Sequence, residues 1–196
     1  MTIAFAISPG HERAIGPATE LRLAEALVAS LEPHETVFLD SSSSSYYVAR
    51  ALIDAGLPIT LITNSLPVIA LMGEAEATQL ELIGLGGAFR KPTQSFVDPH
   101  TVHAIEAFSA DRTIFSVKGI APDGSLTDPD PQEATVKRAM IAHSRTVMLI
   151  AAAEKWGERG LNVIVPAASV DVAYLADPPS GGVERLRQAG VSIAEL

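Results

Sequence analysis

The chain has 196 residues, 47% of them apolar and 19% charged, with no cysteine. This describes one globular domain able to bury about 70% of its unfolded surface, and it excludes a disulfide framework, a thiol nucleophile and a thiolate metal site. Fourteen Lys and Arg against 23 Asp and Glu give a net charge of −9; that opposes non-specific nucleic-acid binding but not a small anion held by local donors.

Residues 1–16 carry no clear period and are expected to form an arm; the domain runs over 17–196. Pro17 suits a first helical turn, and Leu21, Ala24, Val28 and Leu31 predict an apolar stripe ending before Pro33. The stretch VFLDSSSSSYY follows: a short apolar run, an aspartate, five serines, then Tyr46, Ala49 and Ile53 at helical spacing. That pattern predicts a strand over 36–39 and a helix closed by Gly56 and Pro58. The turn between them suits an anion, because the N–H groups opening a helix are unpaired and lie at the positive end of its dipole. A flexible linker or a simple helix cap is the competing reading, but the tight bracketing opposes the linker.

Residues 59–63, rich in β-branched side chains, predict a second strand, and Asn64-Ser65-Leu66-Pro67 opens a short helix to about Met72. A third strand over 79–83 closes at Gly84-Leu85-Gly86-Gly87. Residues 88–99 read as a small polar excursion containing Arg90 and Lys91, and a helix follows over 100–108. A fourth strand over 113–117 ends at Lys118-Gly119, and 122–129 reads as a turn-rich loop. Asp130-Pro131-Gln132-Glu133 predicts a helix start with an aspartate cap, proline at the first position and a capping-box glutamate. The fifth strand, 146–151, leads to Ala152-Ala153-Glu154-Lys155. Segments 162–165, 172–176, 183–188 and 191–193 keep the same alternation. The fold class expected is α/β and Rossmann-like: a mainly parallel sheet with helices on both faces and an excursion after the third strand.

In such sheets ligands bind beyond the carboxyl ends of the strands. Those ends carry Asp40 with Ser41, Ser42, Ser43, Ser44 and Ser45, then Asn64 and Ser65, Gly86 and Gly87 with Arg90, Lys118 and Gly119, and Lys155. Cations and helix starts suit a phosphate, and Asp40 and Asn64 suit hydroxyls, so the set fits a phosphorylated polyol. Each member has a plainer reading: a turn for Gly86-Gly87, a cap for Asn64-Ser65, surface cations for Lys118 and Lys155, and a capping box with an i,i+4 ion pair for Glu133 and Lys137. Convergence on one edge is what favours the site.

GxGxxG, GxxxxGK[ST] and GxSxG are absent, which disfavours a dinucleotide site, a phosphate-hydrolysing loop and a serine hydrolase. His100 and His103 share a helix without an evident third metal ligand, so neither a metal nor a cofactor is expected. Trp156 reads as packing or as a lid. No apolar run reaches the about 20 residues of a membrane helix, the opening MTIAFAISPG lacks the basic start of a signal peptide, and the cytoplasm is the expected location.

The order DSSSSS at 40–45, LITNSLPVIA at 61–70, LIGLGGAFR at 82–90, FSADRTIFSVKGI at 108–120, LTDPDPQEATVKRAMI at 126–141 and IAAAEKWG at 150–157 resembles the C-terminal effector domain of DeoR-type bacterial transcription regulators. The resemblance implies a fold related to pentose-phosphate isomerases and sensing, without catalysis, of a phosphorylated sugar or related anionic metabolite. It also implies self-association, and DNA contact only through an N-terminal winged helix-turn-helix, which residues 1–16 do not supply. Carried over, the 40–45 turn, Asn64, Ser65, Gly86, Gly87, Arg90, Lys118, Gly119, Glu133, Lys137 and Lys155 surround the effector. Serines replace the family's usual glycine and threonines at 42–44, and Lys118 and Ala152 stand where aspartates are usual. Two fewer carboxylates and one more cation imply a more anionic ligand, or loss of binding of the usual one. The alternatives are isomerase-like activity, with Glu133 as the proton-shuttling base and Lys137 or Lys155 stabilising the enediolate, and a ligand-independent assembly module.

Overall fold

The computed structural model describes residues 16–75 and 79–195. The arm expected over residues 1–16 falls, except for Gly16, outside the described residues. The elements in chain order are α1 (Pro17–Val28), β1 (Thr36–Leu39), α2 (Ser43–Ala55), β2 (Thr60–Thr63), α3 (Leu66–Glu74), β3 (Glu81–Gly84), β4 (Phe89–Arg90), β5 (Ser95–Phe96), α4 (Pro99–Glu106), β6 (Ala110–Phe115), β7 (Gly119–Ile120), β8 (Ser125–Asp128), α5 (Pro131–Ala142), β9 (Ser144–Ala152), β10 (Asn162–Pro166), β11 (Val172–Ala176), α6 (Ser180–Gln188) and β12 (Ser192–Ile193).

Seven of the strands form one parallel sheet in the order β12-β11-β9-β6-β1-β2-β3. Its central strands are short apolar runs buried on both sides, as a sheet covered by helices on both faces requires. Val37 and Leu39 pack with α1, α2 and α3, and Phe38 between them turns to α4 and α5. Leu186 of α6 packs with Leu149 and Ala173 in a third apolar cluster. This is the expected α/β, Rossmann-like layering. No described helix is long and apolar enough to cross a membrane.

Helix starts follow the polar cap rule. Ser42, Ser65, Asp98 and Asp130 each accept a backbone N–H from the helix that they open. Proline stands within the first two positions of α3, α4 and α5. Gly56 closes α2 at φ 63°, a left-handed conformation that glycine adopts at no steric cost.

Three expectations need correction. The buried side of α1 is Glu20, Leu23, Ala24, Leu27 and Val28, whereas Leu21 lies only part-way in. Ala24, Val28 and Leu31 of the expected stripe are buried; a carboxylate, rather than Leu21, opens the buried face. Secondly, 122–129 is not all loop: β8 lies in it and pairs antiparallel with β7 and β10 in a separate three-stranded sheet. The segment at 162–165 therefore leaves the parallel alternation. Finally, the excursion at 88–99 folds as a β4–β5 hairpin whose Phe89 and Phe96 rings pack 5.7 Å apart.

Candidate functional site

After β1 the chain moves to β2 and β3 on one side of it, then crosses to β6 on the other. The strand order thus reverses between β1 and β6, which opens a crevice at their carboxyl ends. Asp40 follows β1 there and Ser116 follows β6, and the Ser116 N–H donates to Asp40 Oδ2 at 3.2 Å.

Asp40 is 1% exposed. Its Oδ1 accepts the Ser42 N–H at 3.1 Å and the Ser42 hydroxyl at 2.7 Å, together with the Ser45 hydroxyl. Its Oδ2 accepts Lys137 Nζ at 2.6 Å, and that ammonium also donates to the Ser116 carbonyl at 2.7 Å and lies 3.8 Å from Asp128 Oδ2. Burial alone would raise the Asp40 pKa, but the Lys137 charge and the converging donors outweigh it and hold the carboxyl below its usual range. Burial likewise pushes Lys137 down, and Asp40 with Asp128 and Glu133 more than restores it, to above the ordinary lysine value. Desolvation raises Asp128. The Asp40–Lys137 pair is thus ionised on both sides, and it fixes the serine turn from below.

Glu133 is the second hub. Its Oε1 accepts the Ser95 hydroxyl at 2.5 Å and its Oε2 the Ser41 hydroxyl at 3.0 Å, so it ties the β4–β5 hairpin and the serine turn to α5. The capping-box role expected for it is not found, because the Asp130 N–H donates instead to Asp128 Oδ1 at 3.0 Å. Nor does Lys137 make the i,i+4 ion pair with Glu133; its pairs are Asp40 and Asp128. Arg90 reaches the same helix start, with Nε 2.9 Å from Asp130 Oδ2.

Lys118 stands exposed where β6 gives way to β7. Its pKa is lowered by partial desolvation and then by the Lys155 and Lys137 cations. Because the residue is open to solvent, the second cause is the informative one: it puts the Lys155 and Lys137 ammonium groups within Coulombic reach of Lys118. Lys155 lies in the turn after β9, 3.3 Å from Glu154 Oε1.

Two hydrogen-bonded groups stand at the rim, Asp40 with Ser42, Ser45 and Lys137, and Glu133 with Ser41 and Ser95; Lys118 and Lys155 follow the carboxyl ends of β6 and β9. Other sequence candidates face elsewhere. Ser44 turns to Glu20 of α1. Asn64 and Ser65 hold the hairpin, through Asn64 Nδ2 to the Phe96 carbonyl at 2.9 Å and a bridge from Ser65 to Ser95. The Gly86 carbonyl accepts the Thr101 hydroxyl, and a Cβ on Gly87 would lie 2.1 Å from that hydroxyl, so this pair packs against the start of α4. Gly119 lies in β7 against the Glu158 backbone. Sequence reasoning missed Ser116, Asp128 and Ser95; the last two stand in segments read as loop, where no strand end drew attention to them.

These features define a three-layer α/β domain built on a seven-stranded parallel sheet. Ribose 5-phosphate isomerase A from Methanocaldococcus jannaschii superposes with a TM-score of 0.51 over 71% of this chain and 54% of its own, at 12% identity. The beta subunit of eIF2B from Chaetomium thermophilum gives 0.53 over 79% and 47%, at 18% identity. At those identities the likeness is one of fold. The chain belongs to the DeoR C terminal sensor domain family, which it matches over residues 18–174. It is 30% identical over 173 residues to the glycerol-3-phosphate regulon repressor of Escherichia coli K12, covering 88% of this chain and 68% of that protein. It is 28% identical over 172 residues to the HTH-type transcriptional repressor CsqR of the same organism, covering 87% and 65%. The chain thus spans about two thirds of the length of these relatives. The family is described as a sensor domain, and the two relatives named are transcriptional repressors.

Proposed function

We propose that this domain binds a small phosphorylated sugar or polyol at the rim and thereby controls operator binding by a regulator. What supports the reading is that the serine turn, Lys118 and Lys155 follow the carboxyl ends of the neighbouring strands β1, β6 and β9, where strand order reverses. The phosphate engages Lys118, Lys155 and the N–H groups opening α2, and the hydroxyls engage Ser41 and Ser43. Asp40, Ser42, Ser45, Glu133 and Lys137 set the turn's shape. Arg90, Asn64, Ser65, Gly86, Gly87 and Gly119 hold the surrounding loops. The named relative that represses a glycerol-3-phosphate regulon supports this ligand class. On this reading the domain spans residues 17–196, acts in the cytoplasm as a homo-oligomer, and reaches DNA through a helix-turn-helix. Ligand binding shifts the population between operator-binding and non-binding assemblies.

The test is a thermal-shift screen of sugar and polyol phosphates, glycerol 3-phosphate among them. A ligand at 100 times its dissociation constant stabilises by about 2.7 kcal/mol. The shift should disappear in a Lys118→Ala/Lys155→Ala variant that unfolds at the parent temperature. No shift with any phosphate, or an undiminished shift in that variant, refutes the assignment.

A further inference from the structure

Helix α5 is used on both of its sides. Glu133 and Lys137 are buried on the inner side, bonded to Ser41 and Asp40, while Gln132, Thr135 and Arg138 stand exposed at helical spacing on the outer side. On one flank of that outer side an open groove of about 450 Å³ lies between α4 and α5, lined by Pro99, Val102 and Pro131 and by Glu106 and Thr135. On the other flank α5 packs against β10, the edge strand of the small sheet. There Leu161 is 89% and Val163 45% exposed, two of the three large apolar side chains that stand open among the described residues. Arg138 joins the two flanks, because its Nη2 donates to the Thr135 hydroxyl at 2.8 Å and its Nη1 to the Val163 carbonyl at 2.5 Å. Both acceptors are neutral, so they leave the guanidinium charge unmatched. Glu106, on the α4 wall of the groove, holds a half-exposed carboxylate 3.4 Å from the exposed His103 ring. An apolar ridge that carries a cation and an apolar groove that carries a carboxylate thus flank the same helix.

We propose that this face of α5 is where two copies of the domain meet, related by a two-fold axis that crosses the helix. A ridge and a groove side by side are self-complementary under such an axis: Leu161 and Val163 of each copy enter the α4–α5 groove of the other, and each Arg138 meets the partner's Glu106. The contact removes from water the exposed apolar side chains that a solitary domain leaves open, and the opposite charges at its border fix its register. Both halves of the contact stand on this one chain, which is why the occupant is a second copy and not a different protein. The helix that grips the serine turn on its inner side is then the helix that faces the partner on its outer side. From the reading above the proposal takes only that the domain associates with itself; it does not depend on which ligand fills the rim.

Sedimentation velocity of the whole chain, without added ligand and over a dilution series, tests the proposal. The parent should show a monomer–dimer equilibrium. Leu161→Glu should weaken the dimer by at least about tenfold in Kd. Arg138→Glu and Glu106→Arg should each weaken it by about tenfold, and the double variant, which restores opposite charges across the axis, should return to within about threefold of the parent. Arg138 also ties α5 to β10, so thermal melting accompanies each variant; Leu161→Glu and Glu106→Arg, at exposed positions, should melt with the parent and keep the test free of any loss of fold. A monomeric parent, a dimer that Leu161→Glu leaves intact, or a double variant weaker than either single change overturns the proposal. None of these results depends on a thermal shift by phosphates, so the rim reading and this one fail separately.

Discussion

The Asp40–Lys137 pair offers the most direct measurement of what holds the rim. At 2.6 Å, two unit charges attract by about 6 kcal/mol at an effective dielectric of 20. Most of that gain offsets the cost of removing both from water, so the intact pair adds little net stability. Breaking it is another matter. Lys137→Met leaves the Asp40 carboxylate buried with only the neutral donors of Ser42, Ser45 and Ser116, and the Ser116 carbonyl without its ammonium. Asp40→Asn leaves the ammonium facing Asp128 at 3.8 Å. Each single change should cost about 3–5 kcal/mol. The double variant removes both charges, and it should cost about as much as one single change rather than their sum, a coupling of about 3–5 kcal/mol. Urea unfolding followed by circular dichroism, across parent, singles and double, supplies the cycle. Additive losses, or single costs below about 1 kcal/mol, would refute the account of Asp40 as a carboxylate fixed by charge.

The same pair predicts a pH window. Asp40 is held below its usual range, so its contribution is complete above the unfolded value near 3.9 and is lost as pH falls through the folded value. Lys137 is held above its usual value, so its contribution persists below about 10.4 and is lost as pH rises through the folded value. The stability gap between parent and Asp40→Asn should be flat from about pH 5 to 9 and close on either side, as urea titrations across that range would read; an unchanged gap at pH 3 contradicts it. A third prediction concerns packing. A Cβ on Gly119 would sit 2.3 Å from the Glu158 carbonyl oxygen and 2.6 Å from its carbon. Gly119→Ala should therefore cost about 1–3 kcal/mol and lower Tm by about 2–12 °C. Gly86→Ala, where a Cβ meets nothing within 4 Å, is the control in the same calorimetric scan, and equal melting of the two variants would show that the approach of the 158 backbone is relieved elsewhere.

How much of this was legible in the sequence depends on the range over which each feature is decided. The parallel strands announce themselves because burial on both faces demands an unbroken apolar run, and TVFL, TLIT and VMLIA are such runs. The small sheet does not, since β7 and β8 are two and four residues long and the other partner of β8, β10, lies more than 30 residues further on. Turn residues between them look like loop until the third strand is in place. At the rim, strand-end position was enough to place Asp40, Ser41, Lys118 and Lys155 just beyond the carboxyl ends of β1, β6 and β9. It was not enough to say which way a side chain turns. Asp-Pro-Gln-Glu reads as a capping box, and half of that reading holds: Asp130 does cap α5. The other half fails on a contact from outside the motif. Asp128, buried at the end of β8, takes the Asp130 N–H that Glu133 would have bonded. With that donor satisfied, Glu133 gains more by accepting the hydroxyls of Ser41 and Ser95 inside the rim. One strand-end aspartate thus decides whether the glutamate serves its own helix or ties three loops together, and no spacing within the helix records that choice.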